Sequence, residues 1–343
     1  MPPPRIAVLG TGANGSVVGA DLIRAGYDMT FIDQWPEHVE KIRSDGVTIE
    51  IEEEGTFVTR VPRMLHLCEV ATLTAPFDIV FLVLKAYDTR WGCELIKPYV
   101  AADGVVVGVQ NGMTFDDIVE IMGADRAIGC VIEVSSTMLD PGFVQRQSPH
   151  ARSWFAVGTH DGTVTPRLEE VAEIMRHVGD VAIVPDIRSA KWMKLVINAA
   201  ELVPSAILDA SIPGAARIPK MRELMVAAGN EAIDAGLALG YRVVPIFGLE
   251  DVDPVSPHDY VTALIRKLLA DYVLDTTRST VLQDWIRGRH SEVDEIHGPV
   301  VAGLPEGEAA VNTAIIEVAH RIERGELDRQ ESNLEVLAAL ASE

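Results

Sequence analysis

Short, nearly continuous runs of β-branched and other apolar residues punctuate the first half of the chain, with amphipathic stretches of helical period between them. "RIAVLG" (5–10), "MTFID" (29–33), "DIVFLVLKA" (78–86) and "GVVVGVQN" (104–111) read as strands, and so do 127–135, 154–158 and 181–185. Such unbroken runs suit strands covered on both faces of a parallel sheet. "NGSVVGADLIRAG" (14–26), "EHVEKIRSDG" (37–46) and 165–178 follow a helical period. "VTIEIEEEGTFVTRV" (47–61) alternates at period two around Gly55, which predicts a hairpin or two short strands. The alternation predicts a doubly wound α/β domain over 1–186.

From residue 187 onward the pattern changes to long helical periods. "IRSAKWMKLVINAAELVPSAILDA", "KMRELMVAAGNEAIDAGLALG", "DYVTALIRKLLADYVLDTT", "TVLQDWIRG" and "AAVNTAIIEVAHRIERGE" read as helices, with loops such as 243–258 between them. An all-helical second domain over 187–343 is therefore expected.

The 343 residues are enough for two domains with sizeable cores. Asp and Glu outnumber Lys and Arg by 51 to 29, for a net charge of −22, which argues against nucleic acid or an anionic membrane as partner. Apolar runs stay short of the ~20 residues a membrane span requires. Without an apolar leader, and with three scattered cysteines read as small buried hydrophobes, the chain is expected in the cytoplasm. The nine histidines show no ligand spacing, so no metal is expected.

"GTGANG" sets Gly10, Gly12 and Gly15 in the G-x-G-x-x-G spacing, after a strand and at the start of a helix, the context the motif requires. Gly10 permits the tight turn, Gly12 the approach of a pyrophosphate, and Gly15 close packing of the helix, whose first amides face the anion. Thr11, Ala13 and Asn14 complete the loop. Asp33, closing the second strand, is placed to accept hydrogen bonds from a ribose diol and to repel the extra phosphate of NADP, so NAD(H) is favoured over NADP(H). The bland alternative is a cap for the next helix. Lys85 and Asn111 end two further strands, where open α/β sheets bind ligands. Lys85 is assigned to the cofactor, and Asn111 to cofactor and substrate.

In "AKWMKLVIN" (190–198), Lys191, Lys194 and Asn198 form one stripe among residues that belong in a core. In "RSTVLQDWIRGRHSEVDEIHG" (278–298), Thr280, Gln283, Asp284 and Glu292 thread a partly buried segment; a solvated helix end is the ordinary reading of such a stretch.

Taken in order, "GTGANG", "LKAYD", "QNGM", "KWMKLVIN" and "STVLQDWIRGRHSEVD" closely resemble the ketopantoate reductase (2-dehydropantoate 2-reductase) family over nearly the whole chain. The resemblance implies a Rossmann domain followed by a helical one, with the active site in the cleft between. It implies Lys194 as catalytic general acid and base, protonating the alkoxide as hydride reaches the keto carbon. Glu292 follows as the acidic substrate ligand, with Asn198 and Thr280 as substrate contacts and Lys191 as the solvated member of the stripe. The chain departs from the family pattern at Leu202 and Thr277, where the family offers Asn, and Glu201 adds a carboxylate near the face of Lys194.

The function expected is hydride transfer between a nicotinamide cofactor and a small 2-oxo/2-hydroxy acid pair, by a homodimer. A true 2-dehydropantoate 2-reductase of pantothenate synthesis and a non-catalytic NAD(H)-binding sensor are the alternatives.

Overall fold

The computed structural model describes residues 3–52, 54–249 and 256–342, so the middle of the loop expected over 243–258 lies outside the described residues. The chain divides into two compact units, Met1–Arg188 and Ser189–Glu343.

The first unit is built on an eight-stranded sheet. Its spatial order is Asp180–Ile183, Trp154–Gly158, Ala127–Glu133, Val100–Val109, Phe77–Leu82, Ile6–Leu9, Met29–Asp33 and Arg63–His66. All neighbouring pairs are parallel except Trp154–Gly158 against Ala127–Glu133. From Arg63–His66 to Ala127–Glu133 the order is that of a dinucleotide-binding sheet, and it reverses between Ile6–Leu9 and Phe77–Leu82. The strands bury both faces: Ile6, Ala7, Val8 and Leu9 are at most 1% exposed. Strand Arg63–His66 was not foreseen. It pairs with Met29–Asp33 in register Thr30 to Arg63 through Asp33 to His66.

The expected hairpin is present as Val47–Ile51 against Gly55–Thr59. It belongs to a second sheet, because Val47–Ile51 also pairs in parallel with Phe143–Arg146, which continues to Ser136–Thr137. Helix Ala13–Arg24 packs against this sheet. Arg146 anchors the junction. Its guanidinium, wholly buried, donates to Asp21 Oδ2 (2.6 Å), Ser148 O (2.7 Å), Ser153 Oγ (2.8 Å) and Val178 O (2.8 Å). A buried charge so surrounded has its donors satisfied.

The second unit is helical, with Pro219–Ala238, Pro257–Asp271, Thr280–Ile286, Val293–Gly303, Ala310–Glu323 and the shorter Ile212–Ala216 and Asn333–Leu340. Helix Ile187–Ile207 begins at the division, and every residue from Ser189 to Leu208 is buried. A helix without an exposed face has no solvated stripe, and the expectation for Lys191 is corrected here: it is 3% exposed, more buried than Lys194 at 8%. Trp192 fixes the helix in its unit, donating from Nε1 to Ala232 O (2.7 Å) and stacking on Tyr241 at 4.7 Å. The cysteine expectation also needs correction. Cys93 and Cys130 are buried, but Cys68 is exposed, on the 3-10 turn Leu67–Thr72. Among the described residues, no helix is long and apolar enough to cross a membrane.

Candidate functional site

The strand-order reversal brings three loops together at the carboxyl ends of the central strands. The glycine loop leaves Leu9, the Val83–Lys85 turn leaves Leu82, and Gln110–Thr114 leaves Val109. Lys85 and Asn111 thus lie three and two residues past their strands, in loops where the sequence had them ending strands. Gln110, which sequence reasoning passed over, ties two of the loops: its Nε2 donates to Leu84 O (3.0 Å) and Thr89 Oγ1 (2.9 Å). Asn111 is half-buried beside it, and Lys85 is half-buried in its own turn.

The three glycines differ in what requires them. Gly10 has φ +93°, and a Cβ there would lie 2.7 Å from Val83 O. At Gly15 a Cβ would lie 1.9 Å from Gly10 O. Both are demanded by the protein's own packing. Gly12 is not: a Cβ there meets nothing within 4 Å. The space over Gly12, in front of the first amides of helix Ala13–Arg24, is open to a ligand. This is the cradle that a dinucleotide pyrophosphate needs, and a methyl group would occupy it.

Asp33, 8% exposed, faces this loop. Its Oδ2 accepts from Thr11 N (2.6 Å) and Thr11 Oγ1 (3.0 Å), and its Oδ1 from Trp35 N (2.9 Å). The Trp35 contact is a local turn, and Asp33 does not cap the next helix: Trp35 itself is the residue before Pro36–Asp45, and no side chain caps that helix. The Thr11 contacts join the carboxylate to the glycine loop, and a carboxylate with about four acceptor positions still has room for a ribose hydroxyl. Asn14 is held by Ser136 Oγ, which donates to its Oδ1 at 2.6 Å. Ala13 opens the helix.

In the second unit, Lys194 and Asn198 lie one helical turn apart on Ile187–Ile207. The Lys194 ammonium stands 5.3 Å from the centre of the Phe247 ring, a contact from the 243–258 loop that no sequence pattern predicts. Asn198 is 1% exposed, and neither its Oδ1 nor its Nδ2 has a hydrogen-bond partner. Thr280 opens helix Thr280–Ile286, and its buried hydroxyl also lacks a partner. Leaving a buried polar group unpaired costs about 1–3 kcal/mol unless a water or a ligand takes up the bond. Glu292, 4% exposed, stands at the N-terminus of helix Val293–Gly303 without a side-chain cap bond to it. Burial and the neighbouring Glu292 hold the Glu295 carboxyl above its ordinary range. With Asp284 6% exposed as well, this stretch is not a solvated helix end. Of the departures, Leu202 is buried and Thr277 is spent locally, its Oγ1 accepting from Leu274 N at 2.9 Å. Glu201 is 3% exposed on the lysine helix.

Among the described residues, no group of three or more His, Cys, Asp or Glu side chains could hold a metal ion.

Two family models match this chain: ketopantoate reductase PanE/ApbA over residues 6–160 and its C-terminal counterpart over 186–323. The chain belongs to the ketopantoate reductase family. A family relative from Archaeoglobus fulgidus, a 2-dehydropantoate 2-reductase, is 28% identical over 324 residues, covering 94% of this chain and 98% of the relative. The ketopantoate reductase of Ralstonia eutropha JMP134 shares the fold with a TM-score of 0.75 at 24% identity, covering 94% of this chain and 99% of its own. A D-mandelate dehydrogenase, solved with NADH and anilino(oxo)acetate, superposes with a TM-score of 0.79 at 17% identity over 94% of this chain and 99% of its own.

Proposed function

We propose that this member of the ketopantoate reductase family reduces a small 2-oxo acid to its 2-hydroxy acid with a nicotinamide cofactor, favouring NAD(H). The observation that carries the reading is Asn198, a buried amide with both polar atoms unpartnered one helical turn from Lys194. A site that keeps an ammonium and an empty amide side by side is built to hold a polarised oxygen substrate.

The cofactor would lie over Gly12, with its pyrophosphate on the amides of helix Ala13–Arg24 and its adenosine ribose toward Asp33. Lys85 and Asn111 belong to the loops flanking that path. When bound, the nicotinamide supplies the hydride. Lys194 donates the proton that the developing alkoxide takes up, and receives it in the reverse direction. Asn198 and Thr280 orient the substrate through their unspent hydrogen bonds, and Glu292 accepts from a substrate hydroxyl. Asp33 favours NAD(H) because a carboxylate facing the 2′-phosphate of NADP(H) meets like charge.

Ketopantoate itself is the second reading, favoured by the Archaeoglobus relative's name. Against it stand Leu202 and Thr277. One is apolar, and the other has its hydroxyl engaged, so neither offers a free amide to a substrate tail. A 2-oxo acid with a more apolar tail is therefore the better substrate. The test compares kcat/KM for ketopantoate with branched, aromatic and polyhydroxy 2-oxo acids, using NADH and NADPH. A large advantage for ketopantoate selects the second reading. Binding of NADH without turnover of any 2-oxo acid would leave a dinucleotide sensor.

A further inference from the structure

Thr11, wholly buried at the centre of the glycine loop, is held at every polar atom. Its N–H and hydroxyl go to Asp33. Its carbonyl accepts from Ser16 Oγ at 2.6 Å and from His38 Nε2 at 2.7 Å. His38, wholly buried on helix Pro36–Asp45, has its other nitrogen fixed too: Gly142 N–H donates to Nδ1 at 2.9 Å. An imidazole that accepts at Nδ1 carries its proton on Nε2, so it donates to Thr11 O. Trp35 stacks on the ring with centroids 5.5 Å apart and planes 12° apart, which restricts its tilt. Gly142 sits at φ +71° in the turn leading into Phe143–Arg146, and its carbonyl accepts from Thr48 N–H at 2.8 Å, which ties the turn to the second sheet.

We infer that His38 is a positioning residue for the dinucleotide: it spans the glycine loop and the second sheet, and holds the Thr11 peptide so that the anion-binding amides are aligned before the cofactor arrives. This rests on the proposed use of the loop for a dinucleotide. A loop fixed in advance binds without a further ordering cost; one released from its clamp must be ordered by the ligand, which weakens affinity and leaves the chemical step alone. His38 touches neither the reacting atoms nor the space over Gly12. Its loss should therefore appear in cofactor binding and KM, with kcat unchanged at saturation.

The experiment titrates NADH into wild type, His38→Leu, His38→Gln and His38→Asn, following nicotinamide fluorescence. Thermal melts and hydrogen exchange of the segment around Thr11 are recorded on the same samples. Replacing a buried two-ended hydrogen-bonding group with Leu should raise the Kd for NADH by roughly 5- to 20-fold. Exchange near Thr11 should quicken, and kcat at saturating NADH should stay within about twofold of wild type. Gln can donate with its amide nitrogen and accept with its oxygen, so it should restore most of the affinity. Should the Leu variant not fold, Asn serves in its place: its shorter amide reaches one partner at most, and it should weaken binding. A folded Leu or Asn variant with wild-type affinity overturns the inference, as does a Gln variant no better than Leu. Failure of wild type to bind either NADH or NADPH would instead remove the dinucleotide reading, and the role of His38 with it.

Discussion

Gly12→Ala and Gly15→Ala add the same methyl group three residues apart, and the structure assigns them opposite consequences. At Gly15 the new Cβ would stand 1.9 Å from Gly10 O and 3.3 Å from Val8 Cγ1, so backbone must move. That belongs at the upper end of overpacking costs, about 3 kcal/mol. In a unit of this size it corresponds to a fall of roughly 6–12 °C in Tm. At Gly12 the Cβ meets nothing within 4 Å, and the backbone, at φ −58° and ψ −162°, lies near the edge of the extended region open to alanine. The stability cost is that of a poorer helix cap and this small backbone strain, about 1 kcal/mol and ~2–4 °C. With a pyrophosphate in the cradle, however, the methyl must displace it. An overpacking cost of about 1–3 kcal/mol then falls on the complex alone, raising the Kd for NADH about 5- to 150-fold. Calorimetric melts of the free proteins, paired with NADH titrations, separate the two effects. A Gly12→Ala protein that melts normally and binds NADH like wild type would mean that no phosphate lies over Gly12.

Lys194→Ala should lower kcat by roughly 10²–10⁴-fold while NADH affinity stays near wild type, read by steady-state kinetics and fluorescence titration. Full activity in that variant together with loss in Lys191→Ala would transfer the role to Lys191. Asn198→Leu should raise Tm by a few degrees, since it removes an unpaired buried amide worth about 1–3 kcal/mol, while costing at least tenfold in kcat/KM. A lowered Tm would show that the amide is already satisfied. His297 is wholly buried, its Nδ1 lies 2.7 Å from Asn312 Oδ1, and burial pushes its pKa down to about 4. Because the folded value lies below the ordinary one, its contribution to stability is complete above about pH 6.5 and is lost as the pH falls toward 4, reaching roughly 3 kcal/mol there. Thermal melts from pH 7 to 4 should therefore fall more steeply for wild type than for His297→Leu; parallel curves would contradict this.

The parallel sheet was readable from sequence because strands covered on both faces carry unbroken apolar runs, as "RIAVLG" and "GVVVGVQN" do. Strand Arg63–His66 sits at the sheet edge, and its four residues are half polar, so no run announces it. The pairing of Val47–Ile51 with Phe143–Arg146 joins segments far apart in sequence and leaves no local trace. The turn at Gly10 and the helix packing at Gly15 were legible in the glycine spacing, and the space over Gly12 is open, as the ligand reading of that position expects. The lysine stripe was legible as unusual, but its burial was not. Helical period alone places Lys191 on a face without saying whether that face is covered, and here the whole stretch from Ser189 to Leu208 is buried. His38 looked like any polar residue near a helix start. Its role depends on Thr11 and Gly142, which reach it only through the fold.

Direct hydride transfer from a nicotinamide to the keto carbon of a 2-oxo acid, with Lys194 supplying the proton, leaves an isotopic record. It is read by incubating NADH that carries deuterium at the transferring position of its nicotinamide ring with the 2-oxo acid that turns over best. Mass spectrometry of the product should find one deuterium on the carbon bearing the new hydroxyl, formed readily by wild type and far more slowly by Lys194→Ala. A hydroxy acid without deuterium, or NADH left unoxidised with every 2-oxo acid supplied, would contradict the claim.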